Sequence, residues 1–519
     1  MPNLRNRLLA GLIMLMIFGC SLQAGGDDLK MTLKDCIVKA VQNNLGVAVE
    51  VINPQLAQKQ VALASEMYLP QLSFGYGMQS TQSPSFSWID AGEESTSEYA
   101  DYQATFAQLI PTGGQFNINL YSYSSETNQN YQTINPRYGS QLTFQFNQPL
   151  LKNFGPRIAG RDIILAKNNR DISENQFKEN LMQTVYTVEE AYWNLTYSIN
   201  NLKALQRSIE LAEDLLFKNK REVEVGTLAL IEIKSAEAEV AMRKADILQA
   251  ELLVQNNEDT LLTLLNLKEV GLEQRIIPID EPVFEITNPD LDQALQTALE
   301  NRPDLMRLRA SIENYDLDLT YSRNQLLPEL TLRASYWSPG ISGNQILYQG
   351  NNPLTNIIIG TIPGDSIDAL KQAFDFSYRN WSVDLTLSIP VNALFGRAQL
   401  ARAKLGLDQA KLRLEYQEQQ VFLEIRNAVR SLETHYRRVV AYRAARELAE
   451  ETLAGEEKKL QVGFSTNYQV LQYQRDLANA RSRELRAIID YNLSLAALER
   501  ATGTILQKNN IQTTALYDD

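Results

Sequence analysis

The sequence predicts a mixed α+β membrane protein that combines long coiled-coil helices with a transmembrane β-barrel shared between subunits. Three observations lead to this fold class. Two stretches nearly free of proline and glycine carry apolar residues at heptad spacing, shorter stretches alternate apolar and polar residues, and the two halves of the chain contain the same landmarks in the same order. Heptad spacing is typical of coiled coils, and alternation is typical of strands with one apolar face.

The composition excludes several classes of protein. The 519 residues are 44% hydrophobic and 21% charged, which is typical of a folded chain and not of a disordered one. The formal net charge of −13 argues against a nucleic-acid partner. Two cysteines exclude a disulfide scaffold, and a single histidine, His435, argues against zinc sites and histidine-dependent triads. We therefore expect no enzyme activity, no catalytic residue, no metal and no cofactor.

The N-terminus has the features of an export signal. Two arginines precede an apolar run from Leu8 to Phe18, and this run is too short to span a membrane as a helix, which takes about 20 residues. The run ends in the sequence IFGC at Cys20, which is similar to a bacterial lipobox. We expect residues 1–19 to be a lipoprotein signal peptide and Cys20 to be the lipidation site. The alternative is ordinary cleavage after Ala24.

The chain contains an internal repeat. The segment from Leu33 to Asn43 aligns with that from Leu291 to Asn301, and the same offset matches the two Leu-Pro-x-Leu motifs that follow. Such matching landmarks indicate one supersecondary plan that is used twice. The predicted organisation is a first repeat at 31–267, a connecting segment at 268–288, a second repeat at 289–506 and a C-terminal tail at 507–519. Cys36 lies on an apolar helix stripe, which predicts a buried structural thiol.

Each half is predicted to contain one very long helix and two medium ones. The first heptad seam alternates spacings of four and three through Leu181, Val185, Val188, Tyr192, Leu195, Ile199 and Leu202. The long helices should run from Arg161 to Val225 and from Arg397 to Val462, each about 100 Å long at 1.5 Å per residue. The medium helices match them in length when they are stacked in pairs. Their predicted ranges are Gly46 to Tyr68, Leu228 to Asn266, Asp304 to Leu326 and Ser465 to Gly503.

The alternating segments are typical of outer-membrane strands. They include Leu72-Phe74-Tyr76, Phe116-Ile118-Leu120, Leu142-Phe144-Phe146, Leu330-Leu332-Ala334 and Val383-Leu385-Leu387-Ile389. An antiparallel sandwich with one solvated face alternates in the same way. The export signal and the small number of strands favour a barrel. Four to six strands cannot close a barrel of about eight, and an open edge in lipid is forbidden, so several chains must share the barrel.

The order of these parts resembles the TolC-type outer-membrane efflux protein family over about Met31 to Leu506. That order is a helix pair, Leu-Pro-x-Leu, strands ending in Pro-Leu or Pro-Val, a long helix, a Val-Gly tip and a medium helix, given twice. The resemblance implies a homotrimer with a 12-stranded barrel in the bacterial outer membrane, and the lipidation predicted from the lipobox-like sequence would add an N-terminal anchor there. It also implies an α-helical barrel in the periplasm, with the connecting segment 268–288 at its equator.

The resemblance further implies a function. The trimer would be the passive exit duct of a tripartite efflux pump or a type I secretion system, and would carry small molecules or proteins out of the cell. Its partners would be outer-membrane lipid, a periplasmic adaptor (membrane fusion) protein and an inner-membrane transporter. The alternative is a lipid-anchored coiled-coil spacer or interaction protein without a pore, which would leave the amphipathic strands unexplained. The substrate, the pump and the choice between efflux and secretion do not follow from the sequence.

The resemblance assigns roles to two groups of residues. The tips of the two helical hairpins would dock the adaptor, or they are structural turns only; we expect Gly226→Trp and Gly463→Trp to leave the trimer and its stability intact but to abolish export. The tip residues are Val225, Gly226, Thr227, Val462, Gly463 and Phe464. Glu232, Gln469 and Gln472 would line the periplasmic entrance. Family members carry aspartates where this chain has the two glutamines, so a doubled acidic ring is missing.

The first half also holds additional strand-like sequence, from Tyr102 to Ile110 and from Gln115 to Ser124. This hairpin either joins the barrel or forms an extracellular or luminal flap. The segment Gly364 to Ile367 is weakly similar to a lipase box, but we expect a loop turn there, since the chain has no histidine to complete a triad.

Overall fold

The computed structural model describes residues 29–85, 92–267, 275–287, 289–389 and 394–513. The predicted signal peptide with Cys20 lies outside the described residues, as do parts of the connecting segment and of the C-terminal tail. The chain divides into two compact units. One contains the described residues of Met1–Asn53, Asn175–Leu305 and Gln417–Asp519, and the other consists of those in Pro54–Glu174 and Met306–Tyr416.

Eleven α-helices lie in the described residues, together with three 3₁₀ turns at Glu66–Tyr68, Gln349–Asn351 and Pro353–Thr355. The helices are α1 (Leu33–Asn43), α2 (Leu45–Ser65), α3 (Pro156–Ala159), α4 (Arg161–Glu224), α5 (Leu230–Leu265), α6 (Leu291–Asn301), α7 (Pro303–Asn324), α8 (Ser366–Phe374), α9 (Leu394–Gln461), α10 (Asn467–Thr502) and α11 (Ile505–Lys508). The two long helices, α4 and α9, have 64 and 68 residues, so their predicted bounds are confirmed to within three residues.

The predicted heptad seam forms the core of the first unit. Leu181, Val185, Val188, Tyr192 and Leu195 are at most 1% exposed and belong to one hydrophobic cluster. In the corresponding seam of α9, Val421, Ile425, Leu432 and Val439 are also at most 1% exposed, and Ala428 and His435 between them are half-buried. Apolar side chains at alternating spacings of three and four stand on one face of a helix, and their removal from water stabilises the packed pairs.

Cys36 on α1 is fully buried in the same cluster, as the apolar stripe predicts. Burial raises the pKa of its thiol to about 12, so the thiol stays protonated and unreactive at neutral pH. A small parallel sheet lies beside it, in which strand β1 (Leu29–Met31) pairs with β6 (Ile276–Pro278). The hydroxyl of Tyr192 donates to the carbonyl of Met31 at 3.2 Å and thereby ties this sheet to α4.

The second unit contains a sheet of seven strands. The order is β2–β3–β4–β5–β7. Strand β7 then pairs with β8 at its C-terminal end and with β9 along its N-terminal half. All of these pairings are antiparallel. The strands are β2 (Gln71–Pro84), β3 (Glu94–Leu109), β4 (Gln115–Thr127), β5 (Ile134–Pro149), β7 (Glu329–Tyr348), β8 (Ile358–Ile362) and β9 (Asn380–Ser388).

The register gives this sheet one apolar and one polar face. Because cross-strand partners point to the same side, the pairings trace each face from strand to strand. Phe106 pairs with Leu72 and with Ile118, Ile118 pairs with Phe144, and Phe144 pairs with Tyr336. The neighbouring row on the opposite face contains Ser73, Thr105, Asn119 and Thr143, which are polar, and it ends on β7 at Trp337, the partner of Thr143.

The additional strand-like hairpin is part of the sheet. It forms β3 and β4, which lie between β2 and β5, and Gly113 in its turn has a φ of +89° that favours glycine. In the described residues, this sheet therefore has six long strands and the short β8, which is more than the four barrel strands per chain that the resemblance implies. The single-sequence pattern revealed the two strands but not their partners, because pairing is a long-range contact.

Helix α8 covers the continuation of the apolar face next to Asn380, where β9 begins. Ala369 and Ala373 are fully buried against the sheet, and a Cβ on Gly340 of β7 would lie 2.0 Å from the carbonyl oxygen of Ala369. The loop turn expected around Gly364 to Ile367 is wrong, since Ser366 begins this helix. Asp365 is its N-cap and accepts a hydrogen bond from the amide of Asp368 at 3.0 Å.

Candidate functional site

The two predicted tips are tight turns that end the long helices. After α4, the amide of Gly226 donates to the carbonyl of Val223 at 3.0 Å, and that of Thr227 donates to Glu222 at 2.9 Å. These two bonds form a Schellman motif, which requires a left-handed residue at its centre. Gly226 has a φ of +81°, and the space around a Cβ added there is open within 4 Å.

The second tip repeats this geometry after α9. Gly463 has a φ of +82°, its amide donates to Leu460 at 3.0 Å, and the amide of Phe464 donates to Lys459 at 2.9 Å. Both tips present apolar side chains to solvent: Val225 is 76% exposed and Phe464 is 85% exposed. Exposed apolar groups at a turn cost solubility unless another surface covers them, so the tips are candidates for a contact.

The second tip contains a polar clamp that the sequence did not reveal. The Ser465 hydroxyl donates to Oε1 of Glu456 at 2.6 Å, and Nζ of Lys459 lies 3.0 Å from Oε2 of the same carboxylate. These hydrogen bonds lower the pKa of Glu456. The contact joins the last turn of α9 to the segment that leads into α10. At the first tip, Thr227 bonds only the helix end, through its hydroxyl to the carbonyl of Glu222 at 2.9 Å.

The three predicted entrance residues lie at the start of the two helices that leave the tips. Glu232 is exposed in the first turn of α5, and Gln469 and Gln472 are exposed in the first turns of α10. Glu232 and Gln472 border one cavity of about 80 Å³, and Gln469 is not part of its lining. The amide of Gln469 instead donates to the hydroxyl of Thr466, the N-cap of α10, at 3.3 Å.

A basic cavity of about 690 Å³ adjoins this region and was also missed from the sequence. Its lining includes one acidic side chain, Glu210, and five cationic ones: Lys203, Arg207, Arg243, Arg475 and Arg481. Arg243 is held by Glu239 at 2.7 Å. The charges lie on α4, α5 and α10, far apart in sequence, so no motif could have shown them together. Glu232 and Gln472, two of the predicted entrance residues, therefore lie next to a basic surface.

A buried ion pair fixes the junction between α6 and α7. Arg302 donates to both carboxylate oxygens of Asp304, at 3.0 and 2.8 Å, and to Glu424 of α9 at 2.7 Å. It also donates to the carbonyl of Ala501 at 2.9 Å and thereby links α10. Burial raises the pKa of Asp304, but the bonds from Arg302 and Gln417 outweigh it, so the net shift is downward.

No group of three or more His, Cys, Asp or Glu side chains within the described ranges is placed to hold a metal ion. In the same part of the chain, none of the helices combines the length and the apolar character that crossing a membrane requires. The described residues present three kinds of surface: an amphipathic sheet, two exposed tips and charged cavities beside one of the tips.

Comparison with known proteins identifies the family. The model of the outer membrane efflux protein family matches residues 100–267 and 294–504, which is well over half of the chain. The chain belongs to the outer membrane efflux protein family. This confirms the resemblance that the order of helices, strands and tips indicated. The family consists of outer-membrane proteins that take part in efflux and transport, and the tips and the sheet are interpreted on that basis.

Individual relatives have low sequence identity to this chain but align with it over most of its length. The chain is 21% identical to the outer membrane efflux protein BepC of Brucella suis over 478 residues, which cover 92% of this chain and 86% of that protein. It is 22% identical to the outer membrane protein TolC of Vibrio cholerae over 341 residues, or 65% of this chain and 71% of that protein.

Solved structures of outer membrane channels share the fold. The CmeC channel of Campylobacter jejuni superposes with a TM-score of 0.60 at 16% identity, over 91% of this chain and 86% of that one. The open state of the MtrE channel of Neisseria gonorrhoeae gives a TM-score of 0.60 at 18% identity, over 91% and 89% of the two chains. The mixed helical and β architecture predicted from sequence is thereby confirmed at the level of the fold.

Proposed function

We propose that this chain forms a homotrimeric channel in the bacterial outer membrane, which serves as the passive exit duct of a tripartite efflux pump or a type I secretion system. One observation carries the proposal: a family member presents a sheet with one apolar face and two open edges. The apolar side chains at these edges are strongly exposed in a single chain. They include Phe74 at 80%, Leu72 at 69%, Trp381 at 71% and Leu385 at 63%.

The open edges support a barrel shared between copies. Among the described residues, β2 pairs only with β3, and β9 pairs only with β7. Unpaired backbone groups cost several kcal/mol each in hydrocarbon, so a sheet that enters lipid has to be closed. Pairing β2 of one copy with β9 of the next closes the sheet, and cyclic symmetry is the common way to do so. The helical hairpins then extend into the periplasm.

The tips are the proposed docking surface for a periplasmic adaptor, which in turn contacts an inner-membrane transporter. Val225, Phe464 and the two tip glycines supply a small apolar contact at the end of each hairpin. Glu232 and Gln472 are the proposed lining of the periplasmic entrance, together with Gln469. Three copies of one glutamate favour cations less strongly than a doubled acidic ring would.

The remaining organisation follows the repeat. We propose residues 1–19 as a lipoprotein signal peptide, acylation at Cys20, repeats at 31–267 and 289–506, an equatorial connection between them and a tail at 507–519. If labelled palmitate enters the wild type and a Cys20→Ala variant equally, lipidation is wrong and only the anchor is lost from the proposal.

Two measurements test the channel itself. Native mass spectrometry of the detergent-solubilised protein should give a trimer, and the purified trimer should conduct ions across a planar bilayer in discrete steps. As a matched pair, Leu385→Lys on the apolar face of β9 should prevent insertion, whereas Thr386→Lys on the polar face should insert and conduct. A stable folded monomer without conductance would support the alternative, a lipid-anchored coiled-coil spacer.

A further inference from the structure

The β3–β4 hairpin has the same two faces as its neighbours in the sheet. On β3, Phe106 and Ala104 continue the apolar face, and on β4, Ile118 and Leu120 do so. The opposite face carries Thr105 of β3 and its partner Asn119, whose side-chain amide donates to the Thr105 hydroxyl at 2.9 Å. If the hairpin were a flap in water or in the lumen, its apolar face, which is continuous with that of the neighbouring strands, would be exposed to water.

The hairpin is paired along its full length on both sides. The ladder between β2 and β3 runs from Gln71 and Ala107 to Pro84 and Glu94, and the ladder between β4 and β5 runs from Gln115 and Asn147 to Ser125 and Arg137. These ladders carry no register shift. If the hairpin left the sheet, these backbone groups would lose their partners, at a cost that grows with every residue pair.

The apolar face also forms a continuous band across the strands of the sheet. On β7 it runs from Leu330 through Leu332 and Ala334 to Tyr336, and the ladder pairs Tyr336 with Trp381 of β9. From Leu330 to Tyr336 the band is about 20 Å long along the strand, which is about 15 Å along the axis of a barrel whose strands tilt by about 40°; the apolar band of outer-membrane barrels is about 25 Å tall, with aromatic residues at its rim. The band crosses β3 and β4 without interruption.

Adding an antiparallel hairpin leaves the directions of the flanking strands unchanged. Two extra strands restore the up-and-down alternation, and the register keeps Phe74 of β2 on the same face as Leu142 of β5, by way of Ala104 and Leu120. The open edges therefore remain β2 and β9, and the closure between copies is the same with or without the hairpin. The wall simply becomes wider.

We propose that β3 and β4 are part of the barrel wall, so that each chain contributes six strands and three chains close an 18-stranded barrel. The inference rests on the proposed trimeric channel. With strands about 4.8 Å apart and tilted by about 40°, 18 strands give a backbone diameter of about 36 Å, and 12 strands give about 24 Å. Subtracting side chains about 5 to 6 Å long on each side leaves bores of about 25 and 13 Å.

The wider bore defines a class of solute. Two packed helices are about 20 Å across, since each helix is about 10 Å wide and their axes lie about 10 Å apart. The 18-stranded barrel admits such a solute, for example a polypeptide that retains a helical hairpin. A 12-stranded barrel excludes it and admits only an extended chain or a small molecule. At the outer membrane, this channel is therefore suited to partly folded polypeptides.

The first test locates the two faces of the hairpin. Single cysteines are placed on the apolar face, as Ala104→Cys and Ile118→Cys, and on the polar face, as Thr105→Cys and Asn119→Cys. Each is labelled with a fluorophore in reconstituted vesicles, and quenching by an acyl-chain nitroxide is measured. The wild type is the background control, because Cys36 is buried. Labels at positions 104 and 118 should be quenched by the lipid nitroxide, and labels at 105 and 119 should respond only to aqueous quenchers.

Strand β5 provides the matched control, since it belongs to the wall in either arrangement. Phe146→Cys should be quenched from lipid and Thr143→Cys from water; Phe146 is chosen because the ring of Phe376 covers Phe144 on the same face. If β5 gives this result and neither face of β3 or β4 is quenched from lipid, the hairpin is a flap, and the inference is wrong while the channel stands. If β5 itself is not quenched from lipid, the proposed channel fails.

The second test measures the bore. Maleimide-polyethylene glycols of increasing diameter are added from outside to Thr143→Cys, which faces the lumen in our proposal. Reagents up to about 20 Å should react with the full chain, and the limit should fall to about 10 Å when residues 86–131 are replaced by Asn-Gly. Electron cryomicroscopy of the full trimer in nanodiscs counts the strands even if the deleted variant does not fold. Twelve strands, or a limit near 10 Å for the full chain, would refute the proposal.

Discussion

Replacing the tip glycines separates backbone strain from docking. Gly463 has a φ of +82°, and no atom lies within 4 Å of a Cβ added there. A side chain of any size therefore fits, but an L-residue other than asparagine is strained in this conformation by about 1 to 2 kcal/mol. The tryptophan variants are therefore not expected to keep the full stability of the wild type. The strain arises with any side chain that has a Cβ, so an alanine variant has it as well.

We therefore expect Gly463→Ala and Gly463→Trp to lower the stability of the trimer by the same amount, about 1 to 2 kcal/mol. Gly463→Asn should lower it less, since asparagine adopts positive φ readily. Only the tryptophan variant should lose export, because only its bulk projects into the space that an adaptor tip would occupy. Gly226, with a φ of +81° and an equally open surrounding, should give the same ranking.

The assay compares three readings on the same variants: thermal midpoint of the solubilised trimer, chemical cross-linking to the adaptor, and export from cells. If the alanine and tryptophan variants have equal thermal midpoints and only the tryptophan variant loses cross-linking to the adaptor, docking at the tips is supported. Export at the wild-type level from both tryptophan variants, with unchanged cross-linking, would show that the tips are structural turns. Loss of export in Gly463→Ala as well would show that strain, and not bulk, is responsible.

Two further predictions concern buried charges in the first unit. Asp304→Asn should lower the free energy of unfolding by about 3 kcal/mol at neutral pH, because Arg302 loses its buried partner; since the pKa of Asp304 is lowered in the fold, the difference from the wild type should begin to shrink below about pH 4, the ordinary pKa of an aspartate, and be lost as the pH falls through the lowered pKa. Asp316→Asn, which removes an exposed pair, is the control, and equal losses in both variants would contradict the reasoning. Glu189→Gln should raise the thermal midpoint at pH 7.5, because burial raises the pKa of Glu189 and its charged form is therefore unfavourable in the fold. The gain should vanish below about pH 4.3, the ordinary pKa of a glutamate, and Glu210→Gln on the exposed face of α4 should show no gain at either pH.

The helices could be predicted from the sequence because their stabilising contacts repeat within a few residues. The seam through Val185 and Tyr192 is visible as spacing alone, and the burial of both side chains agrees with it. The tips could be located because Gly226 and Gly463 each follow a valine between two helices with heptad spacing. Helix α8 could also have been found, since Asp365 at the N-cap and the buried Ala369 and Ala373 form a short amphipathic pattern.

The pairing of strands could not be predicted in this way. Alternation in β3 and β4 shows that each has two faces, but it contains no information on which strand lies beside it. Thr105 and Asn119 become neighbours only through the turn at Gly113, and Asn119 and Thr143 only through a longer connection. The clamp between Glu456 and Ser465 was missed for a related reason: it depends on the path of a turn and not on a periodic pattern.

The edges of the sheet have a consequence for inheritance and gene dosage. In the proposed trimer no intermediate is productive, because two joined copies expose one β2 edge and one β9 edge, just as a single copy does. One defective edge therefore disables the whole ring that contains it. If a variant damaged only at β9 is made in equal amounts with the normal chain, random mixing leaves about one ring in eight fully normal. Such an allele would be dominant, whereas an allele that prevents folding altogether would be recessive.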